Sequence, residues 1–371
     1  MHITDVIASV MPMQLVGKYT GAVRPRRWEA IFCRIETDEG VTGESAVFSL
    51  SSGEAQGRIL ADFLGPALLG RDPLLVEAQW RHLLRQDRIG QGTARYAHAN
   101  CDVALWDIVG KVAGRPLYEL FGAAHRQMRV YATMPVQEDS AGYGRLAEEL
   151  MERGLTALKL HVWGDPDRDV AACRAVRVAV GDDIDLMLDP AGAYDRRAAL
   201  RVGRALEDLG YRWLEEPLPD ADLGGLRWLR QRLDIPIVGA ETYELADYPN
   251  VVTTEAWDAV RPDVGVIRGI TACRRAVDFA RTAGLGVELH TYALPPVAAA
   301  NLHVALNVPE CELFEIPVPL GALDEGIEVG LDIDLAGGTV SASDRPGTGV
   351  VVDWDYVDEH STYTQRASNH A

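Results

Sequence analysis

The chain has 371 residues, 47% of them hydrophobic and 25% charged, which is ordinary for a globular protein with one large and one smaller domain. Its net charge of −19 would repel nucleic acid and anionic membranes, so we expect neither as a partner. The five cysteines are scattered without a CxxC pair, no signal-peptide pattern opens the chain, and no apolar run approaches the ~18 residues of a membrane helix. These features predict a cytoplasmic protein without disulfides.

The amino-terminal part of the chain, residues 1–125, has the pattern of an α+β unit. The segment WEAIFCRIETDEGVTGESAVF predicts two strands joined by a turn at residues 38–40. Further along, CDVALWDIVGKVAG has apolar residues at helical spacing and ends at Gly114, just before Pro116.

A different pattern occupies residues 126–320, where short apolar segments alternate with helical ones. The predicted strands are MRVYAT, ALKLHV, IDLMLD, YRWLEE, IPIVGAE, AWDAVRPD, LGVELH and CELFEI. Eight strands separated by helices predict a parallel sheet closed into a (β/α) barrel. Residues 321–371 lose the alternation and are expected to return to the amino-terminal unit. The predicted fold class is therefore α/β, a barrel with an α+β capping domain that the carboxyl-terminal segment completes.

Acidic residues end three successive predicted strands. Asp189, Glu215 and Glu241 are each separated by 26 residues, about the length of one strand-helix unit of a barrel. Their side chains should converge at the carboxyl ends of the strands, where bare carboxylates would repel one another. One acid at a strand end usually caps a helix or faces solvent, but three in register favour a site for a hard cation such as Mg²⁺.

Other ionisable residues end the remaining predicted strands. Lys159 and His161 lie two apart in LKLH, so both should face the barrel interior. Asp263, His290 and Glu315 end later strands. A histidine with an ordinary pKa near ~6.5 can accept a proton at neutral pH, although a lone histidine at a strand end is more often structural.

Several segments of the sequence, in their order along the chain, resemble those of the enolase superfamily and, within it, of the mandelate racemase-like branch. The resemblance covers nearly the whole chain and rests on ALWDIVGKVAGRPLYELFG, LMLDP, WLEEPL, IVGAE, and RPDVGVIRGIT followed by ELH. It implies that Asp189, Glu215 and Glu241 hold one Mg²⁺ per subunit. Glu215 is expected to be the ligand rather than Glu216, because the family pattern is Glu-x-Pro.

The resemblance also implies roles for the other strand-end residues. His161 and His290 would face each other across the substrate, and Asp263 would orient the His290 ring. Lys159 would help hold the substrate carboxylate. Glu315 would lie near a carboxylate or enolate oxygen, where a protonated glutamate could donate a hydrogen bond.

Three positions depart from the family pattern, and all three bear on substrate identity more than on the metal. His161 stands where a second lysine is usual, Ala191 where an asparagine is common, and Arg268 where a glycine is common. The missing amide at Ala191 removes one expected substrate contact.

A lid is the expected role of the amino-terminal unit, by the same resemblance. Its candidate segments are LVGKYTGAVRPRR and FSLSSGE, and its candidate substrate contacts are Lys18, Tyr19, Arg24 and Trp28. An exposed loop explains these segments equally well.

Three functions are compatible with this constellation. The first is an Mg²⁺-dependent sugar-acid dehydratase, which removes the proton α to a carboxylate, passes through an enediolate and eliminates water to give a 2-keto-3-deoxy acid. The second is a racemase, epimerase or cycloisomerase that uses the same enediolate. The third is a barrel that only binds a ligand. The expected partner is a small-molecule sugar acid, and a homo-oligomer is expected.

Overall fold

A computed structural model of the chain describes residues 1–14, 28–50, 52–88 and 93–368. Its strands are β1 (Ile3–Met13), β2 (Trp28–Thr37), β3 (Thr42–Leu50), β4 (Gln127–Met134), β5 (Ala157–His161), β6 (Asp185–Asp189), β7 (Trp213–Glu215), β8 (Ile237–Gly239), β9 (Ala259–Val260), β10 (Gly286–Val287), β11 (Leu313–Pro317), β12 (Ile327–Val329), β13 (Asp332–Asp334), β14 (Thr339–Ser341), β15 (Val351–Val352) and β16 (Tyr363–Ser368).

The α-helices are α1 (Gly53–Arg58), α2 (Gly65–Leu68), α3 (Val76–Gln86), α4 (Arg95–Ala113), α5 (Leu117–Phe121), α6 (Ser140–Glu152), α7 (Pro166–Val180), α8 (Arg196–Asp208), α9 (Leu223–Arg230), α10 (Tyr248–Thr253), α11 (Ile270–Thr282), α12 (Pro295–Ala305) and α13 (Trp354–His360). A π-helical turn covers Ile59–Leu64, and a 3₁₀ turn covers Leu245–Asp247. Within the described ranges, no helix is both long and apolar enough to cross a membrane.

A four-stranded antiparallel sheet forms the capping unit, in the order β16-β1-β2-β3. The predicted hairpin is β2–β3, and its turn contains Gly40 at φ 77°, a left-handed conformation that glycine adopts without strain. Strand β16 pairs with β1, so the end of the chain joins the sheet made by its beginning. Helix α4 packs on this sheet and ends at Gly114, which is also left-handed at φ 62°.

The barrel confirms the predicted fold class. Within residues 127–317, all of them described, eight parallel strands run from β4 to β11, and β11 pairs with β4. Helices α6 to α12 fill the seven connections between them. A layer of apolar side chains fills the barrel interior; it consists of Tyr131, Ala157, Met187, Trp213, Val238 and Leu313.

Aspartates start four successive barrel helices. Asp139, Asp165, Asp195 and Asp222 each accept a backbone N–H from the first turn of α6, α7, α8 and α9. These caps fix where each helix begins after its strand. The loops between the strands and these helices are therefore short and anchored, which holds the strand-end side chains in place.

The capping unit covers the carboxyl ends of the barrel strands. The Trp28 ring lies 5.7 Å from the Tyr292 ring, which follows β10. On another side, the Trp80 indole donates a hydrogen bond of 3.0 Å to the backbone carbonyl of Arg268. The strand ends thus face a partly closed space between the two units.

Candidate active site and metal centre

All eight residues predicted for metal binding and catalysis lie at the carboxyl ends of the barrel strands. They are Lys159 and His161 in β5, Asp189 at the end of β6, Glu215 at the end of β7, Glu241 after β8, Asp263 after β9, His290 after β10 and Glu315 in β11. This common position follows from the parallel strands, whose ends meet at one face of the barrel. We call this face the mouth.

Two carboxylates in the mouth, Glu215 and Glu315, are paired with buried cations; we call them the paired carboxylates. Lys159 is fully buried, and its Nζ lies 2.7 Å from Glu215 Oε1 and 2.9 Å from Glu315 Oε1. Arg261, also fully buried, places Nε 3.0 Å from Glu215 Oε1 and Nη2 2.8 Å from Glu315 Oε2. Both carboxylates therefore contact two positive charges.

The charge state of Glu315 differs from the expectation of a protonated donor. Burial by itself would raise the pKa of Glu315, but Lys159, His290 and Arg261 outweigh burial and hold that pKa well below its usual range. Thr133 also donates its hydroxyl hydrogen to this carboxylate. Glu315 is thus an ionised acceptor in this structure, because buried cations surround it.

Two further carboxylates, Glu216 and Glu241, have no lysine or arginine contact among the described residues; we call them the unpaired carboxylates. The backbone N–H of Glu241 donates to Glu216 Oε1 over 3.3 Å. Glu241 Oε2 is buried and accepts no hydrogen bond from a described residue, although His290 Nε2 lies 3.5 Å away. Burial and nearby carboxylates raise the pKa of Glu216 well above its usual range. Burial, together with Asp189 and Glu215, raises the pKa of Glu241 to about 7 against the opposing charge of His290.

The predicted ligands are the right type of donor for a metal ion, but their side chains are not placed together to bind one. As the side chains stand, no three His, Cys, Asp or Glu groups of the described residues are placed to hold one. Glu215 has other partners, because its Oε1 is contacted by Lys159 and Arg261 and its Oε2 accepts the Trp213 indole N–H over 3.0 Å. The chemistry fits, because the three predicted ligands are hard oxygen donors on consecutive strands and Glu241 Oε2 is buried without a donor. A metal bound by all three would require Glu215 to exchange partners.

The predicted Asp263–His290 pair is formed. His290 Nδ1 lies 2.7 Å from Asp263 Oδ2, while Asp263 Oδ1 accepts the backbone N–H of Gly265 and the Asn301 amide over 2.7 and 3.1 Å. The carboxylate is therefore fixed from both sides, and it orients the ring. Burial alone would lower the pKa of His290, but Glu241 and Asp263 outweigh burial and raise it to about 9.

His161 has the opposite electrostatic environment. Its ring is nearly buried, with Nδ1 3.5 Å from Asp189 Oδ2. Burial and the charge of Lys159 lower the pKa of His161 to about 3. The ring is therefore neutral at pH 7.

Two of the departures from the family pattern have left-handed backbones. Ala191 has φ 50° and donates its N–H to Asp189 Oδ1 over 2.8 Å. Arg268 has φ 73° and bridges Asp87 of the cap and Glu244 beyond β8, each over 2.8 Å. A left-handed φ favours glycine and asparagine. The asparagine common in the family at the position of Ala191, and the glycine common at that of Arg268, would therefore suit this backbone conformation.

The predicted lid contacts are only partly described. Lys18, Tyr19 and Arg24 lie outside the described residues. Trp28 is 8% exposed, and its ring stacks on Phe48 at 5.1 Å and meets Tyr292 edge-on. This places Trp28 beside the loop that carries His290, and its contact with substrate stays a prediction.

Three residues that contact the site were missed by the sequence analysis. Arg261 precedes Asp263 by two positions, and the twofold repeat of a strand would have placed it inside the barrel. Trp213 also precedes Glu215 by two positions, so the same repeat would have placed it inside the barrel. Asn301 is a polar residue in the apolar helix PPVAAANLHVA, a pattern that indicates a buried hydrogen bond.

Comparison of the sequence with models of known protein families assigns the chain to a family. Residues 8–122 match the model of the mandelate racemase / muconate lactonizing enzyme N-terminal domain, and residues 142–356 match the enolase C-terminal domain-like model. The chain belongs to the enolase superfamily, in its mandelate racemase-like branch. The predicted family and fold are thereby confirmed.

Individual relatives cover almost the whole chain. The chain is 29% identical to arabinonate dehydratase from Saccharolobus solfataricus, over 87% of this chain and 88% of the relative. It is 30% identical to 3,6-anhydro-alpha-L-galactonate cycloisomerase from Streptomyces coelicolor, over 95% of this chain and 96% of the relative. D-glucarate dehydratase from Agrobacterium tumefaciens, solved with magnesium, superposes with a TM-score of 0.86 at 29% identity, covering 98% of this chain and 100% of that one.

These relatives carry out different reactions at nearly equal identity. They include dehydratases and a cycloisomerase, and one was solved with magnesium. The comparisons therefore support an enzyme and leave its reaction to be argued from the site.

Proposed function

We propose that this protein is a magnesium-dependent lyase that removes water from a sugar acid. The observation that carries the proposal is the Asp263–His290 pair at 2.7 Å, which adjoins Glu241, with a second histidine, His161, at the same face of the barrel. Two imidazoles beside a cluster of carboxylates provide a proton acceptor and a proton donor around one bound carbon acid.

Asp189, Glu215 and Glu241 would hold the ion, one per subunit. When bound, Mg²⁺ would supply positive charge that stabilises the enediolate more than the ground-state carboxylate. Removing a proton beside a carboxylate places two negative charges at that end of the substrate, so positive charge close to it lowers the barrier.

The chain's own residues carry the proton transfers. One imidazole removes the proton α to the substrate carboxylate, and the other donates a proton to the β-hydroxyl, which leaves as water. The resulting enol tautomerises to the 2-keto-3-deoxy acid. Asp263 keeps the His290 ring oriented, and Lys159 adds positive charge near the substrate carboxylate. Either histidine could act first, because a bound cation would change the charges around both.

The lid would exclude water from this reaction and contact the polyol. Lys18, Tyr19, Arg24 and Trp28 are the proposed contacts, and the packing of Trp28 on Tyr292 beside His290 supports a position over the mouth.

The second candidate function is an isomerase that uses the same enediolate. Two histidines at the mouth allow one to remove a proton and the other to return it to the opposite face, which gives racemisation or epimerisation. The 30% identity to a cycloisomerase over nearly the whole chain supports the same alternative.

One experiment separates these functions. The protein is incubated with Mg²⁺ and a library of sugar acids in D₂O, and the products are followed by NMR. A 2-keto-3-deoxy product is expected. Deuterium at the α carbon without loss of water would instead show an isomerase, and the absence of exchange with every acid would reduce the protein to a ligand-binding barrel.

A further inference from the structure

We propose that Arg261 is a resident counter-cation of the mouth that competes with the metal ion for Glu215. In the metal-free protein its guanidinium neutralises the paired carboxylates, and Mg²⁺ binds as the guanidinium gives up Glu215 Oε1. This inference rests on the proposed metal site.

The position of Arg261 carries the argument. Its side chain is fully buried, and its Nε lies 3.0 Å from Oε1 of Glu215, a residue that the resemblance assigns to the metal. Its Nη2 donates to Glu315 Oε2 and to the Tyr131 hydroxyl over 2.8 and 2.7 Å. A cation and Mg²⁺ cannot both occupy the same face of one carboxylate oxygen without repulsion.

The charges in this half of the mouth balance without a metal. Glu215 and Glu315 contribute two negative charges, while Lys159 and Arg261 contribute two positive ones, and all four side chains are at most 1% exposed. Asp189 Oδ2 lies farther from Lys159 Nζ, at 3.6 Å. Removing either cation would leave a buried carboxylate uncompensated, which is costly. Adding a divalent ion at Glu215 would instead produce an excess of positive charge beside Arg261.

Release of Glu215 would cost Arg261 little, because the guanidinium has other partners. Its bonds to Glu315 and Tyr131 do not involve Glu215. Its Nε and Nη1 form no hydrogen bond with any described residue, so the contact with Glu215 Oε1 is an ion pair and the guanidinium has unused donor capacity. A small rotation that keeps Nη2 in place would free Glu215 for the ion.

The test is a calorimetric titration of metal-free protein with Mg²⁺. Arg261→Met keeps most of the buried volume and removes the charge, so we expect Mg²⁺ to bind about tenfold or more tighter than in the wild type. Binding that is unchanged within roughly threefold, or weaker, would overturn the inference, because Arg261 would then be neutral toward the ion or needed to position its ligand.

Arg177→Met is the matched control. Arg177 is another buried arginine, but it donates to the backbone carbonyls of Gly181, Ile184, Leu209 and Gly210 at the opposite end of the barrel. This variant should lose stability and keep the wild-type affinity for Mg²⁺.

A measurement on the wild type keeps the inference testable if Arg261→Met does not fold. Crystal structures with and without Mg²⁺ should show the Nε–Oε1 separation growing from 3.0 Å to beyond about 4 Å. A short contact that persists beside a bound ion would overturn the inference alone. A wild type that binds no Mg²⁺ in either measurement would overturn the proposed function together with it.

Discussion

The paired and unpaired carboxylates occupy the same mouth but have opposite electrostatics. Lys159 and Arg261 contact Glu215 and Glu315, and the pKa of Glu315 is held well below its usual range. Glu216 and Glu241 lack such contacts among the described residues, and the pKa of both is raised. Desolvation acts in the same direction on every carboxyl group, so the difference comes from the position of the cations.

The paired carboxylates each contact two cationic side chains, whereas Glu216 has no ion pair with a described residue and Glu241 has only His290, at 3.5 Å. A divalent ion would therefore gain most near Glu241, and Glu215 would join it only by exchanging partners. The mouth is thus divided into carboxylates that contact lysine and arginine and carboxylates that do not, and the proposed ion would add positive charge beside the second group.

The proposed function gives metal binding to the carboxylates and proton transfer to the imidazoles, and His290→Asn separates the two roles. His290 lies beside Glu241 but is not a proposed ligand. We expect kcat to fall by about 10³-fold or more, because a proton donor or acceptor is lost, while Mg²⁺ affinity stays near that of the wild type. Steady-state kinetics and calorimetry check both parts, and full activity would refute the assigned role.

Replacing one carboxylate from each half tests the comparison directly. Glu241→Gln should weaken Mg²⁺ binding by more than about 100-fold and lower the metal-free stability less than Glu315→Gln does, since Glu241 is paired only with His290, at 3.5 Å. Glu315→Gln should lower the metal-free unfolding free energy by about 3 kcal/mol, because Lys159 and Arg261 lose a buried partner.

Denaturant unfolding in a chelator and Mg²⁺ calorimetry measure these two effects. Equal losses of stability in the two variants would mean that the halves do not differ in charge compensation.

Buried titratable groups elsewhere extend the comparison beyond the mouth. Burial lowers the pKa of His303 to about 4 and raises that of Asp102 to about 7. The folded chain keeps His303 neutral between about pH 6.5 and 4 while the unfolded chain takes up a proton, so His303 lowers stability as pH falls, by up to about 3 kcal/mol. Asp102 has the opposite effect on stability. The folded chain holds the Asp102 proton up to about pH 7, whereas the unfolded chain releases it at lower pH, so Asp102 lowers stability as pH rises.

Unfolding free energies from pH 4.5 to 8 check both signs. His303→Gln should gain stability relative to the wild type as pH falls, and Asp102→Asn should gain as pH rises. Profiles that run parallel to the wild type would show that these groups are not held in the stated charge states.

The smallest expected effect concerns a residue that acts through Asp263. Asn301→Leu removes one donor to Asp263 Oδ1, so turnover should fall by about tenfold without a change in Mg²⁺ affinity. Asn100→Leu is the control, because Asn100 is equally buried and bonds the Ile31 carbonyl in the cap. A similar fall in turnover for both variants would assign Asn301 a structural role only.

Much of the fold and part of the site follow from local sequence patterns. The alternation of short apolar segments with helices predicted the barrel, and the regular spacing of Asp189, Glu215 and Glu241 predicted that they share one face. The twofold repeat of strands predicted that Lys159 and His161 point inward. These are local rules, and they hold because backbone geometry fixes side-chain direction within one strand.

The sequence by itself therefore determined which acids, bases and strands this protein has and at which end of the barrel they meet. Only the tertiary structure decided which carboxylates are paired. Glu215 and Glu216 are adjacent and chemically identical, yet Lys159 and Arg261, from two other strands, contact only the first within ion-pair range. The physical reason is that charges interact through space, so their distances exist only once the barrel has closed.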